Sequence, residues 1–237
     1  MHSYPGQCPV CHRKTHFISD SDWLRDNLRC EHCQSIPRER AFAVCLDRYA
    51  PNWRDLALHE CSPADRSISA RMRRDCEGYI GSQFFDTVPR GQMHDGFRSE
   101  DLEAMTFADA SLDLHCHLDV LEHVNHPDRC FAEMARTLKP GGRMIFTTPY
   151  YPEKLETQRR AAYGPNGERF LLFSAEFHGN PISDEGALVT FHYGVNFPDL
   201  IRLWAPDCVV EMVTLTNPDI GVLGSYRDVF IVTKRGV

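Results

Sequence analysis

No stretch of roughly eighteen apolar residues, the span a membrane-crossing helix requires, occurs in the 237-residue sequence. The opening residues, MHSYPGQCPVC, lack the charged-then-apolar pattern of an export leader. The cytoplasm is therefore the expected compartment, and a membrane is not an expected partner. Positive charge is also in deficit, with 26 Lys and Arg against 33 Asp and Glu and a net charge of −7. Nucleic-acid binders usually carry a basic surface, so a small-molecule substrate is expected and nucleic acid is disfavoured. The local basic groups, Arg71 with Arg73 and Arg74, and Arg38 and Arg40 around Glu39, read as solvated helix faces. Internal repeats and low-complexity tracts are missing. No G-x-G-x-x-G follows the first expected strand, which argues against an NAD-dependent oxidoreductase.

Cysteine, by contrast, is abundant. Ten are present, and in a reducing compartment they are not expected to form a disulfide set. Four fall in two tight pairs, Cys8-Pro9-Val10-Cys11 and Cys30-Glu31-His32-Cys33, separated by eighteen residues. Two C-x2-C pairs at that distance suit a zinc ribbon. Each pair turns two thiolates towards one tetrahedral ion, and four thiolates close its shell. A closed shell leaves no position for water, so the metal's role is expected to be structural. The segment 1–36 is poor in apolar residues (Phe17, Ile18, Trp23, Leu24, Leu28), and metal binding would supply the missing folding energy. His12, His16 and His32 read as neighbours that could substitute as ligands, and iron is the alternative to zinc.

Residues 37–54 read as a linking helix. Pro37 lies near its start, Ala41, Val44, Cys45 and Arg48 share one face, and Pro51 ends it. From 55 to 237 strands and helices alternate. Asp55 to Glu60 is a first buried strand, followed by Cys61-Ser62-Pro63 and a helix from Ala64 to Cys76. Gly78 to Gln83 is a second strand, and Phe84 to Phe97 a loop. Leu112 to Leu118 is another strand, after which His126-Pro127-Asp128 opens a helix with Cys130, Phe131, Met134, Ala135 and Leu138 in one apolar stripe. Lys139-Pro140-Gly141-Gly142 stops that helix, and Arg143 to Thr148 is the next strand. This is the strand–helix–strand unit of a parallel sheet. Residues 150–196 are aromatic and poorly periodic, and read as a substrate-side lid. Tyr150, Tyr151, Phe170, Phe173 and Phe177 give it a partly apolar lining. Within it Glu176-Phe177-His178-Gly179-Asn180-Pro181 is tight-turn chemistry. A helix over Pro198 to Trp204 precedes two strands, Cys208 to Leu215 and Asp228 to Lys234, expected as an antiparallel pair at the sheet edge.

The runs Asp119-Val120-Leu121-Glu122-His123-Val124 and Leu138-Lys139-Pro140-Gly141-Gly142, set within Ser111 to Pro149, resemble the fourth strand, following helix and fifth strand of class I S-adenosylmethionine (SAM)-dependent methyltransferases of the type 11-like group. The resemblance implies an α/β, Rossmann-like, seven-stranded sheet, mostly parallel with an antiparallel last strand. It also implies SAM as cofactor and methyl transfer to an acceptor it does not specify. Ser35-Ile36-Pro37-Arg38-Glu39-Arg40-Ala41 resembles a segment following a cysteine knuckle in some bacterial members, so ribbon and domain are expected as one unit.

Carried over position by position, the resemblance makes Cys61, Ser62 and Pro63 the first cofactor loop, where glycines are usual. Glu60, or His59 one register away, is the acid at the strand's end. Ser82 and Gln83 fall where the ribose is held, and Asp101 (preferred to Glu100) and Leu102 where the adenine is. His117 and Leu118 leave the fourth strand beside the methyl group. His178 lies in an aromatic-His-Gly-Asn-Pro phrase similar to one in the family. His117 and His178 are the candidates for proton removal. His115 and His123 are expected to pack or hydrogen-bond within the fold, and Asp119 to cap the turn after the strand. The loop without glycine, and Gln83 in place of an acid, leave two further readings open: a non-catalytic methyltransferase-like binding module, and an RNA methyltransferase docking through its ribbon.

Overall fold

The computed structural model describes residues 1–165, 167–180 and 183–236, so Pro181 of the lid phrase lies outside the described residues. At the N-terminus β1 (His2–Gln7), β2 (Lys14–Ser19) and β3 (Arg29–Cys30) form an antiparallel sheet, with a single helical turn, α1 (Leu24–Asn27), before the last strand. Strand β2 alternates strictly, turning Thr15, Phe17 and Ser19 inward. Helix α2 (Pro37–Tyr49) starts on proline, and the Glu39 carboxylate accepts the Ile36 backbone N–H at 3.0 Å. Both features satisfy or remove donors that a helix start leaves bare.

The main body then runs β4 (Leu58–Cys61), α3 (Ser67–Asp75), β5 (Tyr79–Gln83), β6 (Met93–His94), β7 (Phe97–Ser99), β8 (Leu112–Leu118), α4 (Pro127–Thr137) and β9 (Leu138–Thr147). The region expected as a lid is built from β10 (Gln158–Arg159), β11 (Ala161–Tyr163), β12 (Arg169–Leu171), β13 (Phe177–Asn180), β14 (Ser183–Leu188) and β15 (Phe191–His192). These pair antiparallel as β10 with β15, β11 with β12 and β13 with β14. Helix α5 (Phe197–Trp204), β16 (Cys208–Thr214) and β17 (Asp228–Lys234) complete the chain.

Eight strands form the central sheet in the order β16-β17-β9-β8-β4-β5-β7-β6. Strands β7, β5, β4, β8 and β9 are mutually parallel, and β17 runs antiparallel to both β9 and β16. This is the expected α/β, Rossmann-like sheet. Its extra strand, β6, arises in the segment read as a loop. Asp95 and Gly96 both take positive φ (49° and 81°) between the paired residues His94 and Phe97, the two-residue turn that suits the twist of a hairpin. The other departure is at Lys139 to Gly142, which falls inside β9 rather than ahead of it. Gly141 at φ +80° accompanies the shift in β8–β9 register between Leu112 and Leu114, a bulge that lets pairing resume without ending the strand.

Side chains alternate across the sheet and split the core into two layers. One layer is built around Phe131, Met134, Phe146, Tyr193, Phe197 and Phe230. Its rings meet edge to face, Phe131 against Phe146 at 5.7 Å and Phe197 against Phe230 at 5.2 Å, the arrangement aromatic quadrupoles favour. The opposite layer joins Leu114, Cys116, Ile145, Val229 and Ile231 of the sheet to Phe42, Ala43 and Leu46 of α2 and to Cys8, Phe17 and Leu28 of the ribbon. The residues expected as ribbon, linking helix and main domain thus share one core. This placement overturns the expectation of solvated faces for Arg38, Arg40 and Arg71, whereas Arg73 is exposed as expected. Arg40 is fully buried, Arg71 is buried against Asp47 and the Pro9 carbonyl, and Arg38 is mostly covered, whereas Arg74 stays exposed. Among the described residues no helix is long and apolar enough to cross a membrane.

Candidate functional site

The four ribbon cysteines converge. Their sulfurs all lie within 4.8 Å of one another, with Cys8 and Cys33 3.6 Å apart and Cys11 and Cys30 3.9 Å apart. A tetrahedral ion with bonds of about 2.3 Å sets its sulfurs roughly 3.8 Å apart, so the cluster is already at metal-binding dimensions. The Ser35 hydroxyl lies 3.4 Å from Cys8 Sγ and 3.2 Å from Cys33 Sγ. Beneath them the Arg40 guanidinium donates to the carbonyls of Leu28, Ser35 and Gly221 and stacks over the Phe17 ring at 4.5 Å. Burial pushes the pKa of this guanidinium down to about 10, which leaves it charged at neutral pH.

A second group of expected site residues sits at the ends of the parallel strands. Cys61 on β4 is in register with Ser82 on β5 and with His117 on β8. Ser62, just past β4, holds φ at +52°, a conformation that costs a non-glycine residue about 1–2 kcal/mol. Its hydroxyl donates to Gln83 Oε1 at 3.0 Å, and the Gln83 amide reaches back to the Pro63 carbonyl at 3.5 Å. The first loop is therefore stitched to the tip of β5. Asp101, two residues beyond β7, accepts from Arg90 at 2.6 Å and from the Glu103 backbone at 2.9 Å. Glu100 is turned inward, paired with Arg98 at 2.7 Å and bonded to Thr106. Leu102 is buried with Met105, and Leu118 packs on the opposite core layer.

Glu60 and His59 point away from that edge, on opposite faces of β4. Glu60 is fully buried and accepts from Ser69 at 2.5 Å and Tyr79 at 2.8 Å, and burial raises its carboxyl to about 7. The folded chain therefore holds this proton more tightly than the unfolded chain. The stability it contributes is complete below about pH 4.5 and is lost as the pH rises to about 7, on the order of 3 kcal/mol in all. Glu60→Gln should flatten that part of the denaturation profile, and urea melts at pH 4.5, 6 and 7.5 measure it. An unchanged slope would contradict the assignment.

His59 belongs to a buried relay. Its Nε2 is 2.7 Å from Ser82 Oγ, its Nδ1 is 2.9 Å from His115 Nδ1, and His115 Nε2 is 2.8 Å from Thr137 Oγ1. Thr137 donates onward to the Glu133 carbonyl, which orders the whole chain: Ser82 donates to His59, His59 to His115 and His115 to Thr137. Only neutral rings satisfy this order, and burial pushes His59 down to about 3 and His115 well below its usual range.

His117 differs from both. It is buried, stacked on Phe146 at 4.7 Å, pushed down to about 3 by burial, and neither ring nitrogen has a partner among the described residues. His178 lies elsewhere, on β13. Its Nδ1 is 3.5 Å from Glu122 Oε1 and its Nε2 3.4 Å from Glu176 Oε1, and the Glu122 contact raises its pKa. His123 donates from Nδ1 to the Leu188 carbonyl at 3.0 Å. Asp119, at φ +54°, accepts from Thr147 and is clamped by Arg25 at 2.5 Å and Arg38 at 2.8 Å. These two arginines bring the N-terminal segment to the edge of the site; Arg38 stands in the Ser35–Ala41 run that resembles the family, whereas no motif announces Arg25. Glu122, Glu176 and His192 were equally unforeseen, although Glu122 and His123 stand inside the run that carries the family resemblance.

Comparison with known proteins agrees with this fold. The Methyltransf_11 family model, "Methyltransferase domain", matches residues 68–146. An S-adenosylmethionine-dependent methyltransferase from Mesorhizobium loti is 16% identical, with 82% of this chain and 98% of that chain covered and a TM-score of 0.52. CalS10 from Micromonospora echinaspora, an amino pentose methyltransferase solved with SAM bound, is 13% identical, with 84% and 92% covered and a TM-score of 0.53. The [4+2]-cyclase SpnF is 12% identical, with 94% and 87% covered and a TM-score of 0.50. No curated protein matches the sequence. The chain has the class I SAM-dependent methyltransferase fold, joined to a cysteine cluster capable of binding metal.

Proposed function

We propose that the chain is a SAM-dependent methyltransferase acting on a small molecule, with zinc held structurally by Cys8, Cys11, Cys30 and Cys33. The observation that carries the reading is the convergence of Ser62, Gln83 and Asp101 at three neighbouring strand ends, beside a buried His117 whose nitrogens have no partner among the described residues. Ser62 and Gln83 offer hydroxyl and amide groups to a ribose, and Asp101 an acceptor to an adenine amino group. Bound SAM supplies a methyl group on a sulfonium. The chain's own task is to align an acceptor with it, exclude water and take up a proton. His117, at about 3, is a weak base and suits the wall of the cofactor pocket. His178, raised by Glu122, is the better proton acceptor on the lid side.

Asp101→Ala should weaken SAM binding at least about tenfold, the loss of roughly 1.4 kcal/mol of charge-assisted hydrogen bonding. Calorimetry reads it, and equal affinity of variant and wild type would remove Asp101 from the site. A non-catalytic module remains the second reading, favoured by one observation: the Gln83 amide is already engaged by Ser62 and Pro63. Binding of neither SAM nor its demethylated product would select it.

A further inference from the structure

We propose that Glu122, His123 and His178 form a second metal site, separate from the cysteine cluster, which takes a borderline divalent cation at the junction of the sheet edge and the lid. One ligand atom from each of Glu122, His123 and His178 lies within 4.8 Å of the other two. Glu122 Oε1 is 3.5 Å from the His178 nitrogen and 3.7 Å from the His123 nitrogen. An ion with bonds of about 2.1 Å holds its ligand atoms roughly 3.4 Å apart at tetrahedral angles, so closure needs only small side-chain movements.

The independent observation is Glu122 itself. It is 1% exposed, and among the described residues its buried Oε1 makes no hydrogen bond, only the looser approaches of the two imidazole nitrogens. A buried carboxylate oxygen without a hydrogen bond is costly, and a cation between it and the two rings removes that cost. The surrounding bonds also orient each ligand as metal sites require. Thr148 holds the other Glu122 oxygen at 3.1 Å, leaving Oε1 free. The His123 Nδ1–H is committed to the Leu188 carbonyl, so in the neutral ring Nε2 carries the lone pair. His178 Nε2 faces Glu176 Oε1 at 3.4 Å, and Glu176 is steadied in turn by His192 at 2.9 Å and Arg160 at 3.4 Å. Thr190 fixes the Glu122 backbone, its N–H and hydroxyl both donating to that carbonyl.

Two imidazoles and one carboxylate leave coordination positions open, unlike the closed cysteine shell. A hydroxyl or carboxylate oxygen of an acceptor can complete the coordination. That use rests on the methyl-transfer reading, whereas the site itself does not. In the metal-bound state His178 is a ligand rather than the proton acceptor, and the ion takes over the charge it balances on Glu122.

The test uses wild-type chain stripped by chelator, reloaded with one equivalent of zinc to fill the four-thiolate site, and titrated with cobalt(II). The expected result is a further equivalent of bound cobalt, with visible d–d absorption but no thiolate charge-transfer band. Glu122→Gln and His178→Ala should each weaken it at least about tenfold, with circular dichroism unchanged. His178 is only partly covered, so its variant remains informative if the Glu122 variant fails to fold. Cobalt binding absent from wild type, or equal in wild type and His178→Ala, overturns the site. The readout needs neither SAM nor an acceptor. A silent SAM titration with a positive cobalt signal therefore overturns methyl transfer alone, and the converse overturns the metal site alone.

Discussion

Cys30→Ser should abolish the proposed stoichiometric zinc and lower the melting temperature of the whole chain by about 10–20 °C, at roughly 2–4 °C for each of about 5 kcal/mol lost. The size follows from where the cluster sits. Structural zinc contributes roughly 10–16 kcal/mol in isolated zinc-finger peptides, against a total stability of about 5–15 kcal/mol for an ordinary domain. Here Cys8 and Cys30 are themselves core residues, packed in one layer with Phe17, Leu28, Leu114 and Ile145. Loosening the knuckle therefore opens the layer that supports β8 and β9. Calorimetric melting with metal analysis of wild type and variant is the check. A separate low-temperature transition, with the main one unmoved, would show that the ribbon folds on its own.

Arg40→Met is expected to cost about 3–5 kcal/mol, as breaking a buried charge network does. Three carbonyls, those of Leu28, Ser35 and Gly221, lose a guanidinium donor together, and that of Ser35 keeps the Cys30 N–H. A zinc ion with four thiolates carries a net negative charge, and Arg40 is the buried cation that Cys8, Cys30 and Cys33 act upon. Arg40→Lys should recover less than half of the loss, because one ammonium cannot reproduce the planar fork of donors. Urea denaturation of the three proteins decides it. A lysine variant as stable as wild type would mean that charge alone matters.

Strand and helix periodicity was legible wherever the apolar pattern was long. Leu112–Leu118 and Asp228–Lys234 are strands with the bounds the sequence suggests. The antiparallel last strand was legible through resemblance. The hairpin at Asp95-Gly96 was signalled by its turn residues but masked by the short, exposed strand Met93–His94. At the site, the cysteine spacing carried its own geometry. Glu60 and His59 show the opposite case. Their position in the chain is that of a cofactor loop, yet the pleat turns one towards α3 and the other towards β5 and β8. Such partners come from other strands, and local sequence does not encode them. The same holds for Arg25 and Arg38 on Asp119, and for the contacts of His178 with Glu122 and Glu176.

Titration calorimetry of the zinc-loaded wild-type chain with SAM, and separately with its demethylated product, tests the central claim most directly. The account predicts saturable one-to-one binding of both ligands at micromolar concentration. No heat from either ligand, in protein whose melting shows it folded, would contradict it.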